Sequence, residues 1–449
     1  MSILIKFAAQ GRRRVSTAMQ SEYAMPAAPS GGEIQVNIID LLGSLSGALD
    51  LVSPMVVDHH KRVAYLAARL GAQMGLPRAD VDDLLLAGLV HDIGAFHDSL
   101  DVRLDTLRFE TDSVFHAEVG YRLLGKFPGF TRTARVVRWH HTRFEDTALL
   151  QEDREVLRLA GVVHLADRVD AACRRGQPAR EQVPHTLERV AARSGSFFDP
   201  EQVEALRGLA GFAGLWQDLD SPDLFAILRG LGSTAGRMLG LAELSAFTAL
   251  FSQVIDFRSR FTSTHSRGVA ATAVALCKVV GFDEQECELM RVAGDLHDVG
   301  KLAVPTSILE KPGKLTDAEY ARVMEHAEHT HAVLGQVPGL EVVKTWAASH
   351  HERLDGRGYP YHLDKVSLEL GSRIMAVADV FTALTEDRPY RPGMTREEAL
   401  RVLRDMARAG SLDSGVVGLL SEEFDAVNAL RQEAQDQARA EFENFAGGA

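Results

Sequence analysis

Five histidines and two aspartates in the second half of the chain carry the first chemical signal: His265, the pair His297-Asp298, His326, the pair His350-His351, and Asp379. Most stand beside apolar runs. Val269 and Val274 follow His265, Leu289 to Leu296 precedes His297, and Ile374, Val377, Phe381 and Leu384 surround Asp379 at helical spacing. A carboxylate on a core-facing stripe is costly unless something cationic compensates it. Imidazole nitrogens and carboxylate oxygens are a donor set for Fe, Mn, Co, Ni or Zn, and the lack of cysteine among them argues against a purely soft-ligand site. Seven such ligands suit two divalent ions that share one carboxylate. Two ions about 3.5–4 Å apart can activate water and hold the non-bridging and leaving oxygens of a phosphate ester. Lys301, one turn past His297, offers a point charge to a phosphoryl oxygen as negative charge grows. Each histidine taken alone reads more simply as a hydrogen-bonded core residue; the ordered set carries the metal reading.

The same set occurs earlier in the chain. HHKRVAYLAARLG at 59–71 echoes HSRGVAATAVALC at 265–277, and LLLAGLVHDIG at 84–94 echoes MRVAGDLHDVG at 290–300. FHAEVGYRLL at 115–124, WHHTRFED at 139–146 and HLADRVDA at 164–171 have counterparts at 325–334, 349–356 and 376–383. His59 to His91 and His265 to His297 both span 32 residues, and His116 to His140 and His326 to His350 both span 24. Order and spacing kept together identify a tandem duplication. The first copy therefore holds a second candidate metal set: His59, His91, Asp92, His116, His140, His141 and Asp167. Ala95 stands where the second copy has Lys301.

Stretches such as Val63–Met74 and Val269–Val280 place apolar residues three and four apart, and strand-like alternation does not persist. The spacing predicts an all-α protein. Its expected divisions are a flexible leader at 1–36, a first helical domain at 37–220, a helical connector at 221–249, a second domain at 250–425, and a charged helix and tail at 426–449. Thr316 with Glu319 forms a capping box that should open the helix delivering His326. Asp355-Gly-Arg-Gly-Tyr-Pro360 specifies a tight loop. Close behind His350-His351, it should form the rim of the site, where Arg357 and Tyr359 can meet a base or a phosphate.

The chain's 62 acidic residues outnumber its 49 basic ones, for a net charge of −13, which argues against a broad DNA- or RNA-binding face. Cys173, Cys277 and Cys287 are too few and too scattered for a disulfide framework, which fits a reducing, cytoplasmic setting. No apolar, charge-free stretch reaches 18 residues, so no membrane span is expected. Arg12–Arg14 reads as part of a solvated tail.

His297-Asp-Val-Gly-Lys301, the following VPTSILEKPGKLT, HHERLDGRGYP at 350–360 and RIMAVADVFTALTEDRPYR at 373–391 together resemble the HD-GYP family of bacterial cyclic di-GMP phosphodiesterases. The resemblance covers about 130 residues. It implies a tandem of HD-type helical domains, the second of HD-GYP type. One ion would sit on His265, His297, Asp298 and Asp379, the other on His326, His350 and His351, with Asp298 bridging and Fe or Mn favoured. Lys301 matches the family's substrate-phosphate lysine. Gly358-Tyr359-Pro360 matches its name-giving loop, implicated in substrate access and in contacts with diguanylate cyclase domains. Some members hold a third ion through a Glu four residues before the first histidine; here that residue is Phe261. Gly268 stands where the family often has Arg.

The implied activity is hydrolysis of cyclic di-GMP to pGpG and onward to GMP. The alternatives are another cyclic dinucleotide such as cyclic GMP-AMP, a nucleotide phosphate ester, or a non-catalytic signalling protein that binds a cyclic dinucleotide or a partner. The first copy resembles the broader HD superfamily and has no Gly-Tyr-Pro after His141. With room for two further ions, it reads as a regulatory module, a hydrolase for another ester, or a relic kept for packing. Pairing of the copies, or of two chains as a homodimer, is a further expectation.

Overall fold

The computed structural model describes residues 34–51, 57–95, 114–127, 129–231, 237–256, 264–387 and 391–446. The leader up to residue 33, Phe261 and the final residues 447–449 lie outside them. Two compact units form: Asn37–Met238, and Leu239–Ala446 together with residues 34–36. The division falls inside the stretch read as a connector. The protein is all-α. A two-stranded sheet pairs Gln35–Asn37 with Met238–Gly240, so the last residues ascribed to the leader are in a strand.

In the first unit, the helix His59–Gln73 packs on Arg78–Val90 and Arg154–Ala172, while Val114–Leu124 packs on Thr131–Trp139. In the second unit, His265–Val280 packs on Glu284–Leu296, Leu370–Thr385 and the C-terminal helix Phe424–Ala446. There Asp317–Leu334 lies against the 3-10 turn Val299–Ala303 and the helix Glu341–Ala348. The helix of His326 opens with the expected capping box, Thr316 with Glu319.

Two glycine positions, repeated in both units, show why these helices meet as they do. A Cβ on Gly88 would lie 2.5 Å from Ala64 Cα, and one on Gly294 would lie 2.6 Å from Ala270 Cα. The helix that begins with the first histidine can approach the next helix only because neither glycine has a side chain. The glycine two residues after each His-Asp pair is under tighter constraint. A Cβ on Gly94 would lie 2.1 Å from the His116 carbonyl oxygen, and one on Gly300 would lie 1.9 Å from that of His326. Each turn is thus wedged against the helix that supplies the next ligand candidate.

Candidate metal centres

In the second unit all seven candidate residues converge. Each set of three, His265/His297/Asp379, His297/Asp298/His350 and His326/His350/His351, has donor atoms within 4.8 Å of one another. His265 is the first residue of its helix, and its Nε2 lies 3.1 Å from Asp379 Oδ1. His297 Nε2 lies 3.2 Å from Asp298 Oδ2. Asp298 Oδ1 faces the Nε2 atoms of His326 and His350 at 3.5 and 3.8 Å. His351 Nδ1 is 4.0 Å from Asp379 Oδ2. Asp298 thus turns one oxygen toward each half of the cluster, the geometry of a bridging carboxylate.

The hydrogen bonds behind the rings decide which nitrogen is offered. His297 Nδ1 donates to the Gly294 carbonyl at 2.7 Å, His350 Nδ1 to that of Ala347 at 2.6 Å, and His326 Nδ1 to that of Val323. A carbonyl only accepts, so each Nδ1 holds its proton and Nε2 is the atom that faces inward, with a free lone pair in neutral His326 and His350. His297 Nε2 and Asp298 Oδ1 are buried without a hydrogen bond. Orphaned inward-facing acceptors beside a second buried carboxylate fit a pair of divalent ions.

Charge is distributed unevenly. Burial holds His326 down to about 3 and His351 to about 4, and lowers His350 well below its ordinary value, so all three are neutral. Burial would lower His265 as well, but Glu386 and Asp379 overcome it and raise the ring to about 10. In the same way His297 and Lys301 outweigh the burial of Asp298 and hold it well below the carboxylate range.

A pH dependence follows, with a definite sign. A divalent ion on His265 must displace its Nε2 proton, and on His297, whose pKa Asp298 raises against burial, any proton that ring holds, whereas the three neutral rings release none. Calorimetry of Mn2+ uptake in buffers of different ionisation enthalpy should show net proton release for this ion at pH 7.5. Affinity should climb about tenfold per pH unit below pH 9 and level off as His265 titrates. Uptake with no proton release would contradict the charge assigned to His265. Without metal, the stabilisation from this ring is complete below its ordinary value of 6.5 and is lost as pH rises through about 10.

Several supporting residues were not evident from sequence. Glu386 Oε2 accepts from His265 Nδ1 at 3.0 Å. Its signal was a position seven residues past Asp379, two turns along the same face. Thr330 Oγ1 donates to the His297 carbonyl at 3.0 Å and accepts from Gly300 N at 3.1 Å, fixing the His-Asp turn. Buried Glu352 takes Tyr361 N at 2.6 Å and Leu363 N at 3.0 Å, and so anchors the Gly-Tyr-Pro loop.

That loop lies where the sequence put it. The Tyr359 ring sits 4.7 Å from that of His351 and 6.4 Å from that of His326, and its backbone N–H donates to the His351 carbonyl. Gly358 is buried, and a Cβ there would lie 2.4 Å from Arg353 N. Pro360 follows it, half-buried. Arg357 is exposed, its backbone N–H held by Asp355. Lys301 donates to Asp298 Oδ2, and its side chain keeps 24% of its exposure.

The first unit gathers its seven residues into two groups, His59/His91/Asp167 and Asp92/His116/His140/His141. His91 and His140 also place Nδ1 on backbone carbonyls, of Gly88 and Val137. His59 places Nδ1 on Asp170, which also accepts from Arg62 and Arg175. The units part at Arg168, whose counterpart in the second is Val380. Arg168 Nη2 lies 3.0 Å from His141 Nδ1. A guanidinium only donates, so the His141 proton sits on Nε2, the nitrogen 2.9 Å from His116 Nε2. That ring is not set for a cation in the way His326 and His350 are.

His-Asp pairs at helix ends, buried in the second unit and with a half-buried Asp92 in the first, and supplied with imidazoles by neighbouring helices, define a tandem HD-domain protein. The models of the HD domain match residues 249–416 and, separately, 56–172. The chain is 32% identical over 399 residues to 3'3'-cGAMP-specific phosphodiesterase 1 of Vibrio cholerae, covering 86% of this chain and 92% of that one. It is 42% identical over 144 residues to a cyclic di-GMP phosphodiesterase of Pseudomonas aeruginosa, covering 31% and 34%. A solved structure of a cyclic GMP-AMP-specific phosphodiesterase of V. cholerae matches at a TM-score of 0.63 and 22% identity, over 87% of this chain and 98% of that one, and shares its fold. The chain belongs to the HD-GYP family of phosphodiesterases. Among the described residues, no helix is long and apolar enough to cross a membrane.

Proposed function

We propose that the second unit hydrolyses a 3′3′-linked cyclic dinucleotide to its linear form, and that 3′3′-cyclic GMP-AMP is the substrate it takes best. The observation that carries the hydrolytic reading is Asp298, with one oxygen toward His326 and His350 and the other shared by His297 and Lys301. The seven residues His265, His297, Asp298, His326, His350, His351 and Asp379 would hold two divalent ions, of which Fe and Mn suit the donors. When bound, such ions offset phosphate charge and acidify water. The chain's own groups do the rest. Lys301 holds a non-bridging oxygen of the scissile phosphate, and its ammonium stabilises the charge that grows there. Tyr359 offers a ring face beside His351 on which a base can stack. The fixed Gly-Tyr-Pro loop keeps that ring in place without ordering cost on binding.

The substrate preference rests on extent of likeness. The relative named for 3'3'-cGAMP parallels both units, whereas the P. aeruginosa cyclic di-GMP enzyme parallels about a third of the chain. Cyclic di-GMP, to which the motifs alone lead, is the second reading. Presenting both dinucleotides together at equal concentration to Mn2+-loaded protein, with products separated by chromatography, decides between them. Faster loss of cyclic GMP-AMP is expected; faster loss of cyclic di-GMP establishes the second reading, and loss of neither removes both.

The first unit is proposed as a regulatory module. It has the ligand set without a lysine at position 95. Contacts with diguanylate cyclase domains and pairing of two chains belong to the same proposal.

A further inference from the structure

The first histidine of each unit is secured by a carboxylate behind its Nδ1, and each carboxylate is backed by a donor that comes from a different part of the chain. In the first unit the carboxylate is Asp170 and the donor is Arg62, on the same helix as His59; Arg62 also reaches the Leu219 carbonyl and Asp220. In the second unit the position of Arg62 is Gly268. The carboxylate there is Glu386, seven residues beyond Asp379. The donor is Gln435, from the C-terminal helix.

Gln435 is 5% exposed and fully engaged. Its Nε2 donates to Glu386 Oε2 at 3.1 Å and to the Thr264 carbonyl, at the start of the His265 helix, at 3.3 Å. Its Oε1 accepts from Arg431, itself 2% exposed, whose Nε donates to Asn428 at 2.9 Å. The space Gln435 fills exists because residue 268 has no side chain. A Cβ on Gly268 would lie 2.8 Å from Gln435 Nε2 and 3.0 Å from a Thr382 methyl carbon. Arg431 and Gln435 lie on the stripe Phe424, Val427, Arg431, Gln435 and Ala438, all buried. A guanidinium and an amide on the buried face of a helix are costly there unless their bonds are needed.

We infer that Gln435 is a positioning residue of the metal centre: through Glu386 it orients His265, and so the C-terminal helix completes the ligand set of the second unit. It performs from the end of the chain what Arg62 performs within the first unit. The absence of an arginine at position 268 is therefore a replacement of one donor by another, not a loss. Groups that orient metal-bound histidines typically contribute about 10- to 100-fold in affinity.

The inference rests on His265 being a ligand, and the experiment separates the two. Mn2+ affinity is measured by competition with a chelating dye on the full-length, metal-stripped chain and on three variants, with the melting temperature of each metal-free protein. His265→Ala should lose the tightly held ion. Gln435→Met, which keeps the volume and removes the amide, should bind about 10- to 100-fold more weakly. The double change Gly268→Arg with Gln435→Ala transplants the first unit's arrangement and should recover most of that loss. Recovery distinguishes orientation of His265 from mere packing of the helix, which the double change does not improve. Parental affinity in Gln435→Met, with weak binding by His265→Ala, overturns the role of Gln435 alone. So does a double variant that folds and binds no better than Gln435→Met. Parental affinity in His265→Ala overturns the ligand assignment and this inference with it.

Discussion

Asp298→Ala is expected to lower kcat/KM for cyclic dinucleotide hydrolysis by at least about a thousandfold and to reduce the bound metal. The side chain is 3% exposed and serves four partners: His326 and His350 through Oδ1, His297 and Lys301 through Oδ2. Asp379 also spans the cluster, 3.1 Å from His265 and 4.0 Å from His351, but Asp298 is the carboxylate that faces His326 and His350. Without Asp298, His326 and His350 would lose the carboxylate that faces them, His351 would keep only Asp379 at 4.0 Å, and Lys301 would lose the carboxylate it donates to, next to any incoming ion. Asp298→Asn is the sharper variant. It keeps the shape and one acceptor oxygen but removes the charge, so it should also fail. Metal analysis and turnover on the same preparation, loaded anaerobically with iron or manganese, test this. Turnover equal to the parent in Asp298→Ala would remove the second unit as the hydrolytic one.

The residues on which this depends were legible because duplication displays them twice. A core-facing histidine is ordinarily uninformative, yet His265, His297, His326 and His350 recur in order with matched spacings, and the structure gathers them with both aspartates. The glycines after the His-Asp pairs were visible as a repeated letter. Their reason, contact with the His116 and His326 carbonyls, is tertiary and needed coordinates. The same divides the ligand candidates from their supports. Glu352 acts on residues 9 and 11 positions away, whereas Gln435 acts on Thr264 across 171 positions, a distance no local pattern encodes. The closing helix was expected as a charged element solvated on one face; that its buried face carries Arg431 and Gln435 into the site region needed coordinates. Arg357, expected at the rim, is exposed, and it is Tyr359 whose ring meets His351. The short sheet was missed because three-residue strands are too brief to show alternation.

Lys301→Ala should separate charge stabilisation from metal binding. Its expected effect is a loss of about 10²- to 10³-fold in kcat with metal content unchanged, since an ammonium brings no lone pair to an ion. Lys301 is anchored by Asp298, which outweighs the effect of burial and raises its pKa above the ordinary value of 10.5. Its charge therefore persists through neutral and alkaline pH, and the parent enzyme should show no alkaline decline from this group below that value. The first unit is the built-in comparison: it gathers the same ligand types around Asp92 but has Ala95 after its His-Asp turn. If the lysine supplies transition-state stabilisation, Lys301→Ala should leave the second unit metal-bound and slow, and Lys301→Arg should recover only part of the rate because a planar fork does not place its charge as an ammonium does. A Lys301→Ala chain that loses metal in step with activity would instead make the lysine a support for Asp298. The substrate phosphate would then be held by the ions alone.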